Sequence, residues 1–395
     1  MTERTVALRS HTAAAPALLA ASFLALAALF AHLRLPMPDA LVYRAEGAAV
    51  LHGRDLYGFA VTAGRLPATY PPFAAVLFVP TALLPAPVLK LAFLAGNALL
   101  LGRLVQLSAR LAGRAAGWPL LCTATALALW CEPVFQTFRY GQINLALACL
   151  VLWDLTRPPG ARGRGAAIGL AAGIKLTPGL FVVHLLLRGR GREAATATAA
   201  FAATVVVGLL AQPGASVAYW TRHVFETDRV GKLWIVDNQS LQGLIARLLR
   251  DPEPGLAWLL PDLAVAAAGL WLVRRAPRER WAVLLTAFTA LLVSPISWSH
   301  HWVWCVPLVA VLLAEGHRGA AALTSLCFTA RTLWLVPHAG ELDLRLPWWQ
   351  QPLASPYVLL GLALLAAAAL PRRPGRTRDD PVPVSLPPPA ARPRP

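Results

Sequence analysis

Acidic residues are scarce in this chain: 19 Asp and Glu stand against 36 Lys and Arg, and charged residues of both signs make up only 14% of it. Soluble domains carry about 25%. That shortfall, beside 57% hydrophobic residues and a mean hydropathy of +0.56, excludes an ordinary water-soluble fold. Also missing are G-x-x-x-x-G-K-[ST] and G-x-G-x-x-G, so the chain lacks the usual backbone cradles for nucleotide phosphates. No C-x-x-C and no H-E-x-x-H occurs, and the five cysteines (Cys122, Cys131, Cys149, Cys305, Cys327) lie in or beside apolar segments as small core residues. The sequence therefore predicts no metal and no organic cofactor. Helical repeats and a soluble domain are absent as well.

What the chain has instead is apolar runs, many approaching the roughly 20 residues that a spanning helix needs. They are punctuated by Arg clusters or by Trp, Pro and Gly. This predicts an all-α polytopic integral membrane protein of about 10–13 membrane segments. The formal charge of +17 sits in short Arg clusters between the runs, as cytoplasmic loop anchors do, and not in a nucleic-acid-binding patch. Arg4 and Arg9 precede the first run, 13–31, in the manner of a signal sequence. The many later runs favour an uncleaved first helix with its N-terminus inside.

Alternating the runs by the positive-inside rule gives a multi-pass protein of the cell membrane with both termini cytoplasmic. Residues 1–370 form the transmembrane domain, and 371–395, rich in Pro and Arg, form a disordered tail. Two long polar intervals, 34–72 and 212–255, fall on the extracytoplasmic side. Each holds a segment expected to lie along the interface as a helix, 40–51 and 240–249. Residues 73–84 are too short to span and read as a re-entrant piece. Run 166–187 has Arg-rich flanks at both ends and Lys175 and Pro178 at its middle, which favours a broken hairpin over a crossing.

The same alternation brings polar clusters to one side: Asp39–Arg44, Tyr140–Asn144, Asp237–Gln242 and Ser297–His301. Each admits a plain structural reading beside a chemical one. Asp39, after Pro38, is placed as a helix N-cap or as a catalytic base. Lys175 is a costly mid-membrane ammonium, either snorkelling at a hairpin tip or binding a lipid phosphate. His300 and His301 stand among tryptophans, as part of an aromatic belt or as site residues, and helix geometry turns only one toward any given point. Asn238 and Gln239 cap a helix or bind sugar hydroxyls; Gln142 and Asn144 shape a turn or do the same. Glu132 reads as interfacial and Asp154 as an inner boundary.

PDALVYRAEGAAVLHGRDLY, ATYPPFAAVLFVP, YGQINLALACLVLWDL, GIKLTPGLFVVHLLLR, DNQSLQGLIARLL and LLVSPISWSHHWVW together resemble the blocks of glycosyltransferase family 87, in family order from Pro38 to Trp304. The resemblance implies a GT-C fold, an extracytoplasmic active site and a polyprenyl-monophosphate sugar donor, with a glycolipid or lipoglycan acceptor. It implies a general base at Asp39, and it matches the family's lysine to Lys175 and its histidine pair to His300 and His301. An inverting displacement needs a base for the acceptor hydroxyl and positive charge at the departing phosphate. Arg44 would join Lys175 and one histidine at that phosphate. Tyr43, Tyr70, Gln142, Asn144, Asn238 and Gln239 would line the substrate path. A retaining mechanism would need a second close carboxylate, for which Asp237 and Glu132 stand nearest in the sequence. Mannose is the expected sugar, with a pentose, arabinofuranose, as the alternative. A transporter or flippase of a lipid-linked sugar is the competitor from another class, since broken helices and buried lysines serve transport too.

Overall fold

The computed structural model describes residues 3–370 apart from residue 63, with side chains from residue 14 onward. The expected disordered tail, 371–395, lies outside the described residues.

The chain is a helical assembly. In order it forms α1 (Glu3–His32), α2 (Pro38–Leu51), a two-residue hairpin of β1 (Ala60–Val61) and β2 (Leu66–Pro67), α3 (Pro72–Leu77), α4 (Val79–Ala82), α5 (Ala86–Leu111), α6 (Trp118–Ala128), α7 (Glu132–Tyr140) and α8 (Asn144–Leu155). There follow α9 (Ala166–Ile174), α10 (Leu180–Leu187), α11 (Gly191–Ala211), α12 (Pro213–Thr221), α13 (Leu241–Leu249), α14 (Leu259–Arg275) and α15 (Glu279–Val293). The chain ends with α16 (Cys305–Ala314), α17 (Arg318–Thr329), α18 (Gln351–Ala354) and α19 (Pro356–Ala369). Among the described residues three helices are long and apolar enough to cross a bilayer unaided: 14–32 of α1, α5 and α11. The remaining apolar segments are shorter or bent. The centre of the bundle is α15, whose residues from Ala282 to Leu292 are all buried, as expected of a helix that is apolar all round.

One end of the bundle is tied by arginines. Arg188 and Arg190 reach Glu279 at 3.1 and 2.9 Å, Arg278 and Arg280 reach Glu315 at 2.9 and 2.7 Å, and Arg164 and Arg190 both pair with Glu193. Arg164 and Arg190 flank the 166–187 segment, so both its ends sit at this end of the molecule. It is a hairpin, and Lys175 is at its tip. The hairpin packs closely because Gly165, Gly169 and Gly173 form a stripe on α9. A Cβ there would come within 2.2 Å of the Glu193 carbonyl, 2.1 Å of the Ala197 carbonyl and 2.1 Å of Thr204 Oγ1 on α11. Small residues at this spacing let helix backbones touch.

Three segments differ from the sequence expectation. The apolar stretch at 118–135, long enough to read as one spanning helix, is broken: α6 stops at Ala128 and α7 starts at Glu132, bent by 75°. The proline sits in the first turn, where its missing N–H costs nothing. The 240–249 segment does not lie on a surface. Ser240 caps α13 by accepting from Gly243 N at 3.0 Å, but the helix is packed within protein, with Arg247 fully buried. The Arg247 guanidinium donates to the carbonyls of Trp234, Ile235 and Asn238 and to Ser355 Oγ. Finally, Asp39 is not an N-cap: that position falls to Met37 in a left-handed conformation with φ 43°, and Asp39 stands inside the first turn of α2.

Candidate active site

At the end of the bundle away from the arginine ties, α2 lies across the helix ends. It packs there because residue 47 is glycine: a Cβ would meet the Phe78 carbonyl oxygen at 2.2 Å. Asp39, Tyr43 and Glu46 recur at i, i+4 and i+7 and so share one face. That face lines a cavity of about 280 Å³. The turn after α7 meets it from the other side. Gly141, at φ 70°, approaches so closely that a Cβ would stand 2.7 Å from the Ala40 Cβ. The close approach delivers Gln142 to α2.

Gln142 is the hub of the site. Its side chain lies beside the Asp39 carboxyl and lowers its proton affinity, while its Oε1 accepts from the Tyr43 hydroxyl at 2.8 Å and from the Tyr70 hydroxyl at 3.3 Å. Asn97 Nδ2 donates to the Gln142 carbonyl at 3.2 Å and fixes its backbone. Lys175 enters from the hairpin tip. Its Nζ stands 2.8 Å from His301 Nε2, 3.3 Å from the Tyr70 hydroxyl and 3.3 Å from Asn144 Oδ1. An ammonium has donors only, so beside it His301 Nε2 is the acceptor and the ring proton resides on Nδ1. Among the described residues no carboxylate lies within ion-pair distance of Lys175; its three contacts are all to uncharged partners. A continuous polar chain therefore runs from Asp39 through Gln142 and Tyr70 to Lys175 and His301.

Burial pushes the Asp39 carboxyl up to about 6, against the lowering effects of the Gln142 side chain and the Lys175 charge. A carboxylate with its affinity for protons raised this far is well matched to accept one near neutral pH.

The structure brings together Asp39, Tyr43, Tyr70, Gln142, Lys175 and His301 around the cavity, with Asn144 directly behind Lys175. It does not bring the other candidates there. Arg44 turns from the cavity and donates to the Leu84 carbonyl at 3.0 Å. His300 is buried behind His301, edge-on to its ring and to that of Tyr140, with neither ring nitrogen hydrogen-bonded. Asn238 donates to the Leu233 and Pro295 carbonyls and accepts from Ser240 N and Ser297 N. Gln239 donates to the Val236 and Ala354 carbonyls and accepts from Tyr357 N. Both residues are fully buried and spend their amides on the backbone. Glu132 accepts from Trp334 Nε1 and the Tyr357 hydroxyl, and Asp237 accepts from Ser299 N; neither lines the cavity. Asp154 caps α9 from a distance, accepting from Gly165, Ala167 and Ile168 N–H groups. The sequence reading passed over Glu46, Thr69, Tyr219 and Trp298, which also line the cavity. The seven-residue spacing from Asp39 on a helix was the one signal available for Glu46.

A membrane-embedded helical protein with an aspartate, a lysine and a histidine converging on one cavity has the layout of an enzyme acting on a polar group presented at a lipid boundary. Comparison with known proteins makes the class specific. The sequence profile of glycosyltransferase family 87 matches residues 68–295. A polyprenol-phosphate-mannose-dependent alpha-(1-2)-phosphatidylinositol mannoside mannosyltransferase of Mycobacterium tuberculosis is 36% identical over 364 residues, 84% of each chain. One of that name from Mycolicibacterium smegmatis is 33% identical, over 84% of this chain and 83% of its own. The chain belongs to glycosyltransferase family 87 and is a glycosyltransferase. Among solved structures, ArnT from Cupriavidus metallidurans bound to undecaprenyl phosphate is similar at a TM-score of 0.41 and 16% identity, covering 92% of this chain and 77% of that one.

Proposed function

We propose that the protein is a mannosyltransferase of GT-C type that moves mannose from polyprenyl-phosphate mannose to a mannosylated phosphatidylinositol acceptor by a single inverting displacement. The relatives' substrates support the donor and acceptor classes. The observation that carries the mechanism is the joining of Asp39 and Lys175 through one cavity. Asp39 takes the proton of the acceptor hydroxyl as its oxygen attacks the anomeric carbon. The bond to the phosphate oxygen breaks as the new bond forms, and the charge gathering on that oxygen is met by Lys175. His301 orients the ammonium. No metal is needed where Lys175 takes that charge.

A smaller recess of about 50 Å³ continues past Lys175 and His301 and is lined by Leu147, Val151, Phe181, Leu291 and other apolar residues. It supports the leaving phosphate being tethered to an isoprenoid. The arginine-tied end of the bundle supports a cytoplasmic location for that end, and with it the reading of the cavity as extracytoplasmic and of both termini as cytoplasmic.

The test uses the purified chain in detergent with polyprenyl-phosphate mannose and a mannosylated phosphatidylinositol. The wild type forms the elongated glycolipid, read by mass spectrometry, and Asp39→Asn loses about 10²–10⁴-fold in kcat, the usual share of general-base catalysis. Product formed in the absence of a bilayer rules out a flippase. Full activity in Asp39→Asn removes the base from Asp39.

A further inference from the structure

Glu46 is the second carboxyl group in the cavity wall, and the mechanism above gives it no role. Its side chain is 1% exposed. The Thr69 backbone lies beside it and lowers its proton affinity, yet its Oε2 has no hydrogen-bond partner. A buried polar atom left without a partner costs about 1–3 kcal/mol. Glu46 also lines the cavity, which makes it a place where a ligand, with a small turn of the carboxyl, can supply the missing bond.

The chemistry of that place is set by its neighbours. Thr69, Tyr219, Val224 and Thr227 share the cavity wall, and Tyr219 is held by stacking on Tyr57 with ring centroids 5.9 Å apart. Hydroxyls, an aromatic ring and a carboxyl without a cation suit a neutral polyol and offer a phosphate no counter-charge. Seven residues separate Glu46 from Asp39, about 10 Å of helix rise. That is too far for the two carboxyls to flank one anomeric carbon at the roughly 5 Å of a retaining pair. It does match the reach of a sugar ring hydrogen-bonded at both edges. In an in-line displacement the acceptor lies on the side of the anomeric carbon opposite the leaving phosphate. The phosphate is assigned to Lys175, so the acceptor extends from Asp39 along the remaining wall, where Glu46 stands.

We propose, resting on the glycosyl-transfer reading above, that Glu46 is the acceptor-reading residue: its free oxygen hydrogen-bonds a hydroxyl of the acceptor's terminal sugar other than the one Asp39 deprotonates. Burial and the nearby Asp39 charge push the Glu46 carboxyl up to about 8, so near neutral pH it both donates and accepts, as a sugar hydroxyl does.

The experiment compares wild type, Glu46→Gln and Glu46→Ala as purified full-length proteins. The substrates are polyprenyl-phosphate mannose and a synthetic octyl dimannoside acceptor, together with the set of its monodeoxy analogues. Melting temperatures in detergent accompany the kinetics, and Glu46→Gln carries the readout if Glu46→Ala does not fold. Glu46→Ala raises acceptor KM about tenfold or more, the weight of one hydrogen bond to a buried carboxyl. Donor KM is unchanged and kcat stays within about threefold. One monodeoxy acceptor costs the wild type a similar factor and costs Glu46→Ala nothing further, the signature of a direct pair. A wild type that turns over while Glu46→Ala keeps its acceptor KM, or loses donor affinity instead, overturns the assignment and leaves the transferase reading intact. A wild type that uses none of these acceptors, nor the mannosylated phosphatidylinositol, overturns that reading and Glu46's role with it.

Discussion

Lys175 Nζ and His301 Nε2 stand 2.8 Å apart, although 126 residues separate them in the chain. The contact joins the tip of the 166–187 hairpin to the segment between α15 and α16. It closes the polar chain that starts at Asp39. A lysine whose three contacts are all uncharged groups is held in place without a counter-ion, so an incoming anion meets no competitor for it.

Replacing that charge separates binding from folding. Lys175→Met is expected to lower kcat about 10²–10³-fold, the usual cost of removing one group that stabilises developing charge, and to raise donor KM. Its melting temperature in detergent should equal or exceed that of the wild type, because burying an ammonium without a carboxylate is itself costly. Lys175→Arg should fail to restore the rate, since a planar fork does not fit three partners arranged about a point charge. A Lys175→Met enzyme at wild-type rate would remove the lysine from the phosphate.

The pH profile follows from Asp39. A base must be ionised, so kcat/KM should fall tenfold per unit below about pH 6 and be flat above it until another group titrates. Stability has the opposite sign. The folded-state pKa, about 6, is raised from the ordinary 3.8, so ionisation costs folding free energy. That cost is absent below about pH 4, grows between about 4 and 6, and reaches about 3 kcal/mol above that, at 1.4 kcal/mol per unit. Asp39→Asn is therefore expected to melt higher than wild type at pH 7.5 and the same at pH 4. A rate that stays level down to pH 4.5 contradicts the assignment.

Asn238 and Gln239 call for the reverse experiment. Gln239→Ala strips partners from the Val236 and Ala354 carbonyls and from Tyr357 N–H, each worth about 1–3 kcal/mol when left buried and unpaired. The variant should melt markedly lower while its folded fraction keeps the wild-type KM for donor and acceptor. A normal melting curve with a raised KM would return Gln239 to the substrate path.

These two residues also mark where the sequence stopped being informative. In DNQS the polar side chains are evident, but the direction of Asn238 depends on Pro295 and Ser297 and that of Gln239 on Ala354 and Tyr357, all far along the chain, and no local pattern carries that. Gln142 is similar: a turn residue by its neighbours, it becomes the hub only because Gly141 admits Ala40 at close range. Lys175 was legible because charge within an apolar run is expensive wherever the chain goes. Asp39 was legible from its polar interval, although the capping role first suggested by Pro38 falls on Met37. Arg44 was misplaced by one step of rotation, since its neighbour Tyr43 takes the inward face of α2.

The tip of the hairpin is positioned from its far end. The Asp154 carboxylate receives the N–H groups of Gly165, Ala167 and Ile168, satisfying the orphan donors at the start of α9 and complementing its dipole. Lys175 follows the last residue of that helix, so α9 is a strut between Asp154 and the ammonium, seated on α11 by its glycine stripe. Asp154→Ala should cost about 2–4 kcal/mol from several buried N–H groups left unpaired at once. Gly169→Ala should push α9 away from the Ala197 carbonyl, which a Cβ would approach to 2.1 Å. Neither residue touches the cavity, yet both variants should lower kcat and raise donor KM together by about tenfold or more, because a displacement near 1 Å at the charged group is enough to lose that much. Acceptor KM should be unchanged. Assays at a temperature where both variants remain folded, checked by intrinsic tryptophan fluorescence, separate misplacement from unfolding. Wild-type donor kinetics in folded Gly169→Ala would mean that the tip is held by Tyr70, Asn144 and His301 without the strut.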